Sequence, residues 1–162
     1  MLGADDYAQA IKRLLPQAGA YAQSYLRHRG DAEDAVQAAA LRGLERIAGY
    51  DTARPFKGWW FAILRNICLD RLRSSKRTRF VVLPDNLQAP PATEPEAPVW
   101  AGLDQAIAAL SETHREIVRL RYFGDLSYAE IAQSLAIPPG TVMSRLHAAR
   151  QALAAALTEA KR

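Results

Sequence analysis

The feature that most constrains this chain is a proline-rich segment just past its middle. Residues Val82 to Pro98 read VLPDNLQAPPATEPEAP and hold five of the nine prolines. Proline has no backbone N–H and fixes φ, so neither a helix nor a central strand can continue through such a segment. We therefore expect an extended, partly stiff linker of roughly 20 residues between two blocks that fold on either side of it.

Both blocks have the spacing of helices, and neither has a convincing strand. In the first block Val36, Ala40, Leu44 and Ile47 recur at steps of four, four and three residues, which places them on one helical face. With 49% hydrophobic residues, each block can bury a core. The predicted fold is all-α, with domains over residues 1–79 and 101–162 and a linker over 80–100.

Proline, glycine and acidic residues predict the helix bounds of the first block. We expect one helix from Ala4 to about Leu15 that Pro16 ends or kinks, and a second stretch from about Gln17 to Arg29 that Gly30 closes. Asp31 is a good N-cap for the next helix. A longer helix is expected from Phe56 to about Arg77, with Trp60 in the core and Trp59 partly accessible.

The second block contains the most specific local pattern. Ser127 and Glu130 form an S-x-x-E capping box that opens a short helix from Tyr128 to Leu135. A turn follows, and a last helix is expected to start near Thr141 with Val142, Leu146 and Ala149 inward. A short helix, a tight turn and a longer helix predict a helix-turn-helix that binds duplex DNA.

The charge is concentrated in the first block. The net charge is +4, and within residues 65–79 only Asp70 offsets six cations, which are Arg65, Arg71, Arg73, Lys76, Arg77 and Arg79. Such a stripe is typical of a nucleic-acid site. A solvated helix end explains it equally well, because cations also suit helix C-termini.

Several classes of protein do not fit. The single cysteine, Cys68, cannot form an internal disulfide, and the three histidines lack metal-ligand spacing. No signal peptide, membrane-length apolar run, ATP-binding signature or catalytic constellation is present. We expect a cytoplasmic protein that is not an enzyme and has no metal or cofactor.

Three segments resemble bacterial sigma factors of the extracytoplasmic-function group. LSYAEIAQSLAIPPGTVMSRLHAARQAL (Leu126–Leu153) is similar to their C-terminal helix-turn-helix domain. DAEDAVQAAALRGLERI (Asp31–Ile47) resembles the segment that docks on core RNA polymerase, and FKGWWFAILRNICLDRLR (Phe56–Arg73) resembles the segment that opens and reads the −10 promoter element. The resemblance covers nearly the whole chain in the same order.

The resemblance assigns roles to residues of the first block. It implies that Asp34, Gln37 and Leu41 dock on the clamp helices of the largest polymerase subunit, whereas a solvated face is the plain alternative. It implies that Asn66 captures a base flipped out of the non-template strand. Trp59 is expected to supply a wall, and the cations Arg65, Arg71, Arg73, Lys76 and Arg77 to hold phosphates.

The resemblance also implies that the last helix reads the −35 duplex. The residues expected at the DNA are Thr141, Ser144, Arg145, His147, Ala148, Arg150 and Gln151. Many family members have Lys or Arg where this chain has Met143 or Ala148, so no arginine faces the groove to contact guanine in bidentate fashion. We expect weak −35 readout, with Arg145 and Arg150 on phosphates.

The leading interpretation is thus a promoter-specificity subunit that binds core polymerase, including the flap of its second-largest subunit, and promoter DNA. The linker would let the two domains fold together when free, as a monomer, or spread across a promoter. An anti-sigma partner is implied by the resemblance alone. The alternatives are a stand-alone helix-turn-helix regulator and a sigma mimic that titrates an anti-sigma factor.

Overall fold

The computed structural model describes residues 2–81 and 98–160, with side chains for residues 2–77 and 102–159. The described chain is helical, which confirms the predicted all-α class. Its elements are α1 (Ala4–Leu26), α2 (Arg29–Arg46), a 3₁₀ turn (Ile47–Gly49), α3 (Phe56–Val81), α4 (Pro98–Ala109), α5 (Glu112–Val118), a π turn (Arg119–Phe123), α6 (Tyr128–Leu135) and α7 (Pro139–Ala160).

Helices α1, α2 and α3 form an N-terminal bundle around large aromatic side chains. Trp60 is 0% exposed, and its indole N–H donates to the Tyr7 hydroxyl at 3.2 Å. That hydroxyl in turn donates to the carbonyl of Ala40 on α2 at 2.7 Å. Gly43 lets α2 approach Tyr7 and Trp60, because a Cβ at this position would overlap the Tyr7 hydroxyl. Trp60 and Tyr7 therefore bury their rings while their polar groups keep hydrogen-bond partners.

The predicted bounds of the first two helices are wrong. α1 continues through Pro16 and ends at Leu26, where the cap residue Arg27 takes a φ of 55°. A proline removes only one helical hydrogen bond, and a buried face that runs from Tyr7 to Tyr25 holds both halves against the bundle. α2 begins at Arg29, so Asp31 lies in its first turn and His28 is the N-cap.

Helices α4 to α7 form the C-terminal domain, and its local signals are confirmed. The Ser127 side chain accepts from the Glu130 N–H at 3.2 Å, and the Glu130 carboxylate accepts from the Ser127 N–H at 2.7 Å. α6 ends at Leu135, and the C-cap residue Ala136 has a left-handed φ of 52°. Val142, Leu146 and Ala149 are fully buried, as predicted, although α7 begins at Pro139 rather than near Thr141.

The two domains pack directly on each other. α6 lies against α3, and the π turn lies against α1, so one continuous apolar cluster joins both domains. The described part of the predicted linker shows helix, because α3 continues to Val81 and α4 begins at Pro98. Residues 82–97 lie outside the described residues, and the domain boundaries remain predictions. Within the described chain, no helix is long and apolar enough to cross a membrane.

Candidate nucleic-acid interface

The three residues predicted to dock on polymerase form one exposed strip of α2. Asp34, Gln37 and Leu41 lie at i, i+3 and i+7, so they share a helical face, and all three are exposed. Leu41 is 65% exposed, and Leu44 beside it is 43% exposed. Large aliphatic side chains at this exposure leave apolar surface uncovered, which suits a protein contact. We call Asp34, Gln37 and Leu41 the docking strip.

Asn66 lies in a groove between α2 and α3 with a volume of about 340 Å³. The groove is lined by Arg42, Arg46, Ile63, Arg65, Asn66, Leu69, Asp70 and Arg73. Four arginines face one carboxylate there, and Asp70 lies 3.8 Å from Arg73. The groove is therefore a cationic cleft with an amide that can both donate and accept hydrogen bonds.

Arg42 and Arg46 were missed by the sequence reasoning. They lie one turn apart on α2 and make no ion pair within the part of the chain that the structure describes. Helical wheel geometry puts them about 100–140° around α2 from Leu41. The available signal was this i, i+4 pair of arginines beside the buried positions Ala39 and Gly43.

The two adjacent tryptophans differ as expected. Trp60 belongs to the core, whereas Trp59 is half-buried in an aromatic group with Tyr50 and Phe56. The Trp59 ring centroid lies 4.9 Å from that of Tyr50 and 5.6 Å from that of Phe56. Trp59 is thus held in place while part of its surface stays open to a stacking partner.

Arg65 does not face an open surface. Its Nε forms an ion pair with the Glu116 carboxylate on α5, and the two side chains are only 24% and 18% exposed. Burial would lower the pKa of Arg65, but the hydrogen bond and charge of Glu116 leave that pKa raised. Arg65 nevertheless lines the groove and donates to Asn66 Oδ1 at 3.3 Å. One predicted phosphate contact is therefore already engaged by the other domain.

Of the remaining predicted cations on α3, Arg73 lines the groove, whereas Arg71, Lys76 and Arg77 are not among its lining residues. Arg71 is half-buried, and Arg73, Lys76 and Arg77 are exposed. Cys68 on the same helix is fully buried, and that burial raises the pKa of its thiol to about 12. A thiol so placed is a core side chain, not a reactive group.

The outward face of α7 carries the predicted −35 residues. Ser144, His147 and Gln151 are exposed, and Thr141, Arg145 and Ala148 are half-buried beside them. The Ser144 hydroxyl donates to the Thr141 carbonyl at 3.1 Å. No arginine projects from the centre of this face. We call Ser144, His147 and Gln151 the outer face of α7.

Arg150 lies at the edge of the outer face and is held by a residue that the sequence reasoning missed. Its Nε donates to the Tyr122 hydroxyl at 2.8 Å, and Tyr122 lies 28 residues earlier in the π turn. Nothing in the local pattern around Tyr122 indicates this contact, because it forms only when the π turn and α7 pack together.

Among the described residues, four polar contacts join the domains in addition to the apolar cluster. The Arg65–Glu116 pair is one. Ser134 donates to the carbonyl of Gly58 at 2.7 Å, and Lys57 donates to the carbonyl of Asp125 at 2.6 Å. The Arg119 guanidinium lies 4.1 Å from the centroid of the Tyr25 ring. Burial lowers the pKa of Arg119.

The comparisons with known proteins agree with this arrangement. The Sigma-70 region 2 family model matches residues 10–78, and the Sigma-70 region 4 model matches residues 101–153. The ECF RNA polymerase sigma factor SigL of Mycobacterium tuberculosis is 40% identical, over 83% of this chain and 80% of its own length. SigW of Bacillus subtilis, also an ECF RNA polymerase sigma factor, is 31% identical over 76% and 73%.

Solved structures give the same result. The sigma factor RpoE of Bartonella quintana, in its co-crystal structure with the anti-sigma factor NepR, has a TM-score of 0.72 and 26% identity. The match covers 96% of this chain and 98% of RpoE. CnrH in complex with the cytosolic domain of CnrY shares the fold with a TM-score of 0.72 at 22% identity. The chain belongs to the ECF RNA polymerase sigma factors, which direct promoter-specific initiation of transcription.

Proposed function

We propose that the docking strip on α2 binds core RNA polymerase. The support is an exposed line of a carboxylate, an amide and a leucine on a helix whose opposite side is buried in the bundle. Contact with the clamp helices of the largest subunit follows from the family resemblance, as does contact of the C-terminal domain with the flap. A polar and apolar mixture of this kind is common at protein interfaces.

We infer that the groove between α2 and α3 receives single-stranded −10 DNA. Within the groove, Asn66 offers hydrogen bonds to the edge of a flipped base, and the arginines offer charge to the backbone. Trp59 is not among the residues that line the groove, and it offers a partly open ring beside Tyr50 on the same helix face as Phe56. Capture of an unpaired base offsets a few kcal/mol of melting cost. The observation that carries the proposal is Asn66 in this arginine-lined groove between α2 and α3.

The outer face of α7 is proposed to contact the −35 duplex with modest base specificity. Ser144, His147 and Gln151 can hydrogen-bond to base edges, and Arg145 and Arg150 flank them for phosphate contacts. A face without arginine lacks the commonest guanine contact, so DNA shape would contribute to recognition.

In the packed arrangement, the two domains cannot contact the −10 and −35 promoter elements at the same time. Elements about 25 base pairs apart are separated by about 85 Å along B-form DNA at 3.4 Å per step. A compact chain of 162 residues has a radius of gyration of only about 15 Å. We therefore propose that the domains separate at the α3–α6 interface when the protein engages polymerase and promoter, in the bacterial cytoplasm.

An anti-sigma partner is part of the proposal. RpoE of Bartonella quintana was crystallised with its anti-sigma factor, and this chain matches RpoE over nearly its full length. A protein that stabilises the packed arrangement would hold this chain inactive. A sigma mimic remains the second candidate, because the outer face of α7 lacks the arginines that many family members carry.

The deciding experiment is run-off transcription with bacterial core polymerase and a randomised promoter library, with and without this protein. We expect protein-dependent transcripts that share a −10 and a −35 motif. Tight core binding without transcripts would favour the mimic, and absence of both would refute the proposal. The Asn66→Ala variant should lose transcripts at an unchanged affinity for core polymerase, and Gln37→Ala should weaken core binding instead.

A further inference from the structure

Tyr122 is an exposed aromatic residue in an unusual piece of backbone. It is 54% exposed and lies in the π turn between α5 and α6. The turn is closed by the Gly124 N–H on the Arg119 carbonyl at 3.0 Å and by the Leu126 N–H on the Leu120 carbonyl at 3.1 Å. Turns of the π type are rare and occur often at functional sites. An exposed tyrosine on such a turn is therefore a candidate for a contact with another side chain or with a ligand.

The partner within the chain is Arg150. Its Nε donates to the Tyr122 hydroxyl at 2.8 Å, and its guanidinium carbon lies 6.0 Å from the ring centroid. The hydroxyls of Tyr122 and Tyr128 both raise the pKa of Arg150. Arg150 is exposed, three residues after His147 and directly before Gln151. Arg150, held by the Tyr122 hydroxyl, therefore lies at the edge of the outer face of α7.

The hydrogen bond leaves useful donors free. Arginine has five N–H donors, and hydrogen bonds to the hydroxyls of Tyr122 and Tyr128 leave three for a further group. The Tyr122 hydroxyl accepts from Nε, so its own proton can donate to a third group. A planar guanidinium beside a phenol is suited to a phosphate, because guanidinium pairs with phosphate oxygens in bidentate fashion.

We propose that Tyr122 is a positioning residue, which holds Arg150 ready to bind one backbone phosphate at the edge of the −35 major groove. The proposal rests on the proposed function of α7. In helix-turn-helix proteins the first helix crosses the backbone, and Tyr128 is the first residue of α6, so this edge of the domain is where a phosphate is expected.

Arg145 provides the internal comparison. It lies on the other flank of α7, and among the described residues it makes no hydrogen bond or ion pair with another side chain. An arginine that no hydrogen bond holds loses more conformational freedom when it binds than one that a hydrogen bond already holds. Of the two flanking arginines, Arg150 is expected to contribute more to binding.

The test is a double-mutant cycle in holoenzyme assembled from core polymerase and the full chain. Binding to a promoter recovered from the transcription experiment is measured across a range of salt concentrations. Tyr122→Phe should weaken binding about three- to tenfold, the value of one hydrogen bond. It removes no charge, so the salt slope should stay unchanged, whereas Arg150→Ala should reduce that slope by about 1.

The results distinguish a failure of the positioning role of Tyr122 from a failure of the proposed function of α7. The Tyr122→Phe effect should vanish in the Arg150→Ala background and on DNA truncated before the −35 element. An effect of equal size in both backgrounds, or none in the wild-type background, would overturn the positioning role. Failure of the wild-type holoenzyme to distinguish intact from truncated DNA would instead refute the proposed function of α7. Arg145→Ala, which removes the same charge, should weaken binding less than Arg150→Ala.

Discussion

The core of the N-terminal bundle and the interface between the two domains are built differently. In the core, the hydrogen-bonding groups of Trp60 and Tyr7 are paired in a chain that ends on the Ala40 carbonyl. At the interface, Arg119 Nε and Gln133 Oε1 are buried, and neither has a hydrogen-bond partner among the described residues. Each such group costs about 1–3 kcal/mol, and separation of the domains would return it to water.

This difference in hydrogen bonding indicates which contacts persist when the two domains separate. The paired groups of Trp60 and Tyr7 gain no hydrogen bonds when the core opens, because they only exchange protein partners for water. The interface combines favourable contacts, such as Ser134 on Gly58 and Arg119 on Tyr25, with polar atoms that gain hydration on opening. An interface with this balance can hold the domains together in the free protein and still release them for a partner that binds the open form.

The largest expected effect lies in the core. Trp60→Ala should reduce the free energy of unfolding by about 3–5 kcal/mol, since it deletes a fully buried aromatic side chain. Urea unfolding followed by circular dichroism measures the loss. Trp59→Ala is the matched control and should cost clearly less, because Trp59 is half-buried. Equal losses would contradict the distinction drawn between the two tryptophans.

The next effect lies at the closest approach of the two domains. A Cβ on Gly58 would stand 2.6 Å from Gln133 Oε1 and 2.9 Å from the Glu130 carbonyl oxygen on α6. Gly58→Ala should therefore disfavour the packed arrangement by about 1–3 kcal/mol, the usual cost of overpacking. The N-terminal bundle itself should gain stability, because alanine suits a helix better than glycine.

Small-angle scattering checks this prediction through a larger radius of gyration. Gly19→Ala is the matched control, because a Cβ there meets nothing within 4 Å. An unchanged radius for Gly58→Ala would mean that the interface absorbs the added methyl group. A larger radius in both variants would point to an effect of helix propensity rather than of packing.

A smaller effect is expected at the ion pair between the domains. Glu116→Gln should weaken the packed arrangement by about 1–2 kcal/mol, between the values for exposed and for buried pairs. It also frees Arg65 for DNA, so binding to single-stranded −10 DNA should become tighter. Glu33→Gln is the control, because the Arg29–Glu33 pair is exposed and lies within α2. Tighter DNA binding in both variants would indicate net charge as the cause.

The smallest effect is expected at Cys68. Its thiol is fully buried, and burial raises its pKa from an ordinary value of 9.0 to about 12. Because the pKa is raised, the thiolate fraction at pH 8 is about a thousandfold lower than for an exposed thiol with the ordinary value. Iodoacetamide should modify the native protein negligibly and the urea-unfolded protein readily, as mass spectrometry would show. Fast alkylation of the native protein would contradict the buried placement.

Signals confined to a few neighbouring residues were predicted well. The Ser127–Glu130 capping box and the buried positions Val142, Leu146 and Ala149 match the structure, because capping and helical periodicity act over one or two turns. Pro16 was predicted to end or kink the first helix, and α1 does not end there. A local rule failed there because packing of the helix on both sides outweighs one missing hydrogen bond.

The sequence by itself determined the helical class, the separation into two blocks, the helix-turn-helix and the family. Each depends on spacing along the chain, and spacing can be counted. Only the tertiary structure decided that Arg65 pairs with Glu116, that Arg42 and Arg46 complete the groove at Asn66, and that Tyr122 holds Arg150. These partners come from different helices, so their distances depend on how the helices pack, and no periodicity along one helix encodes them.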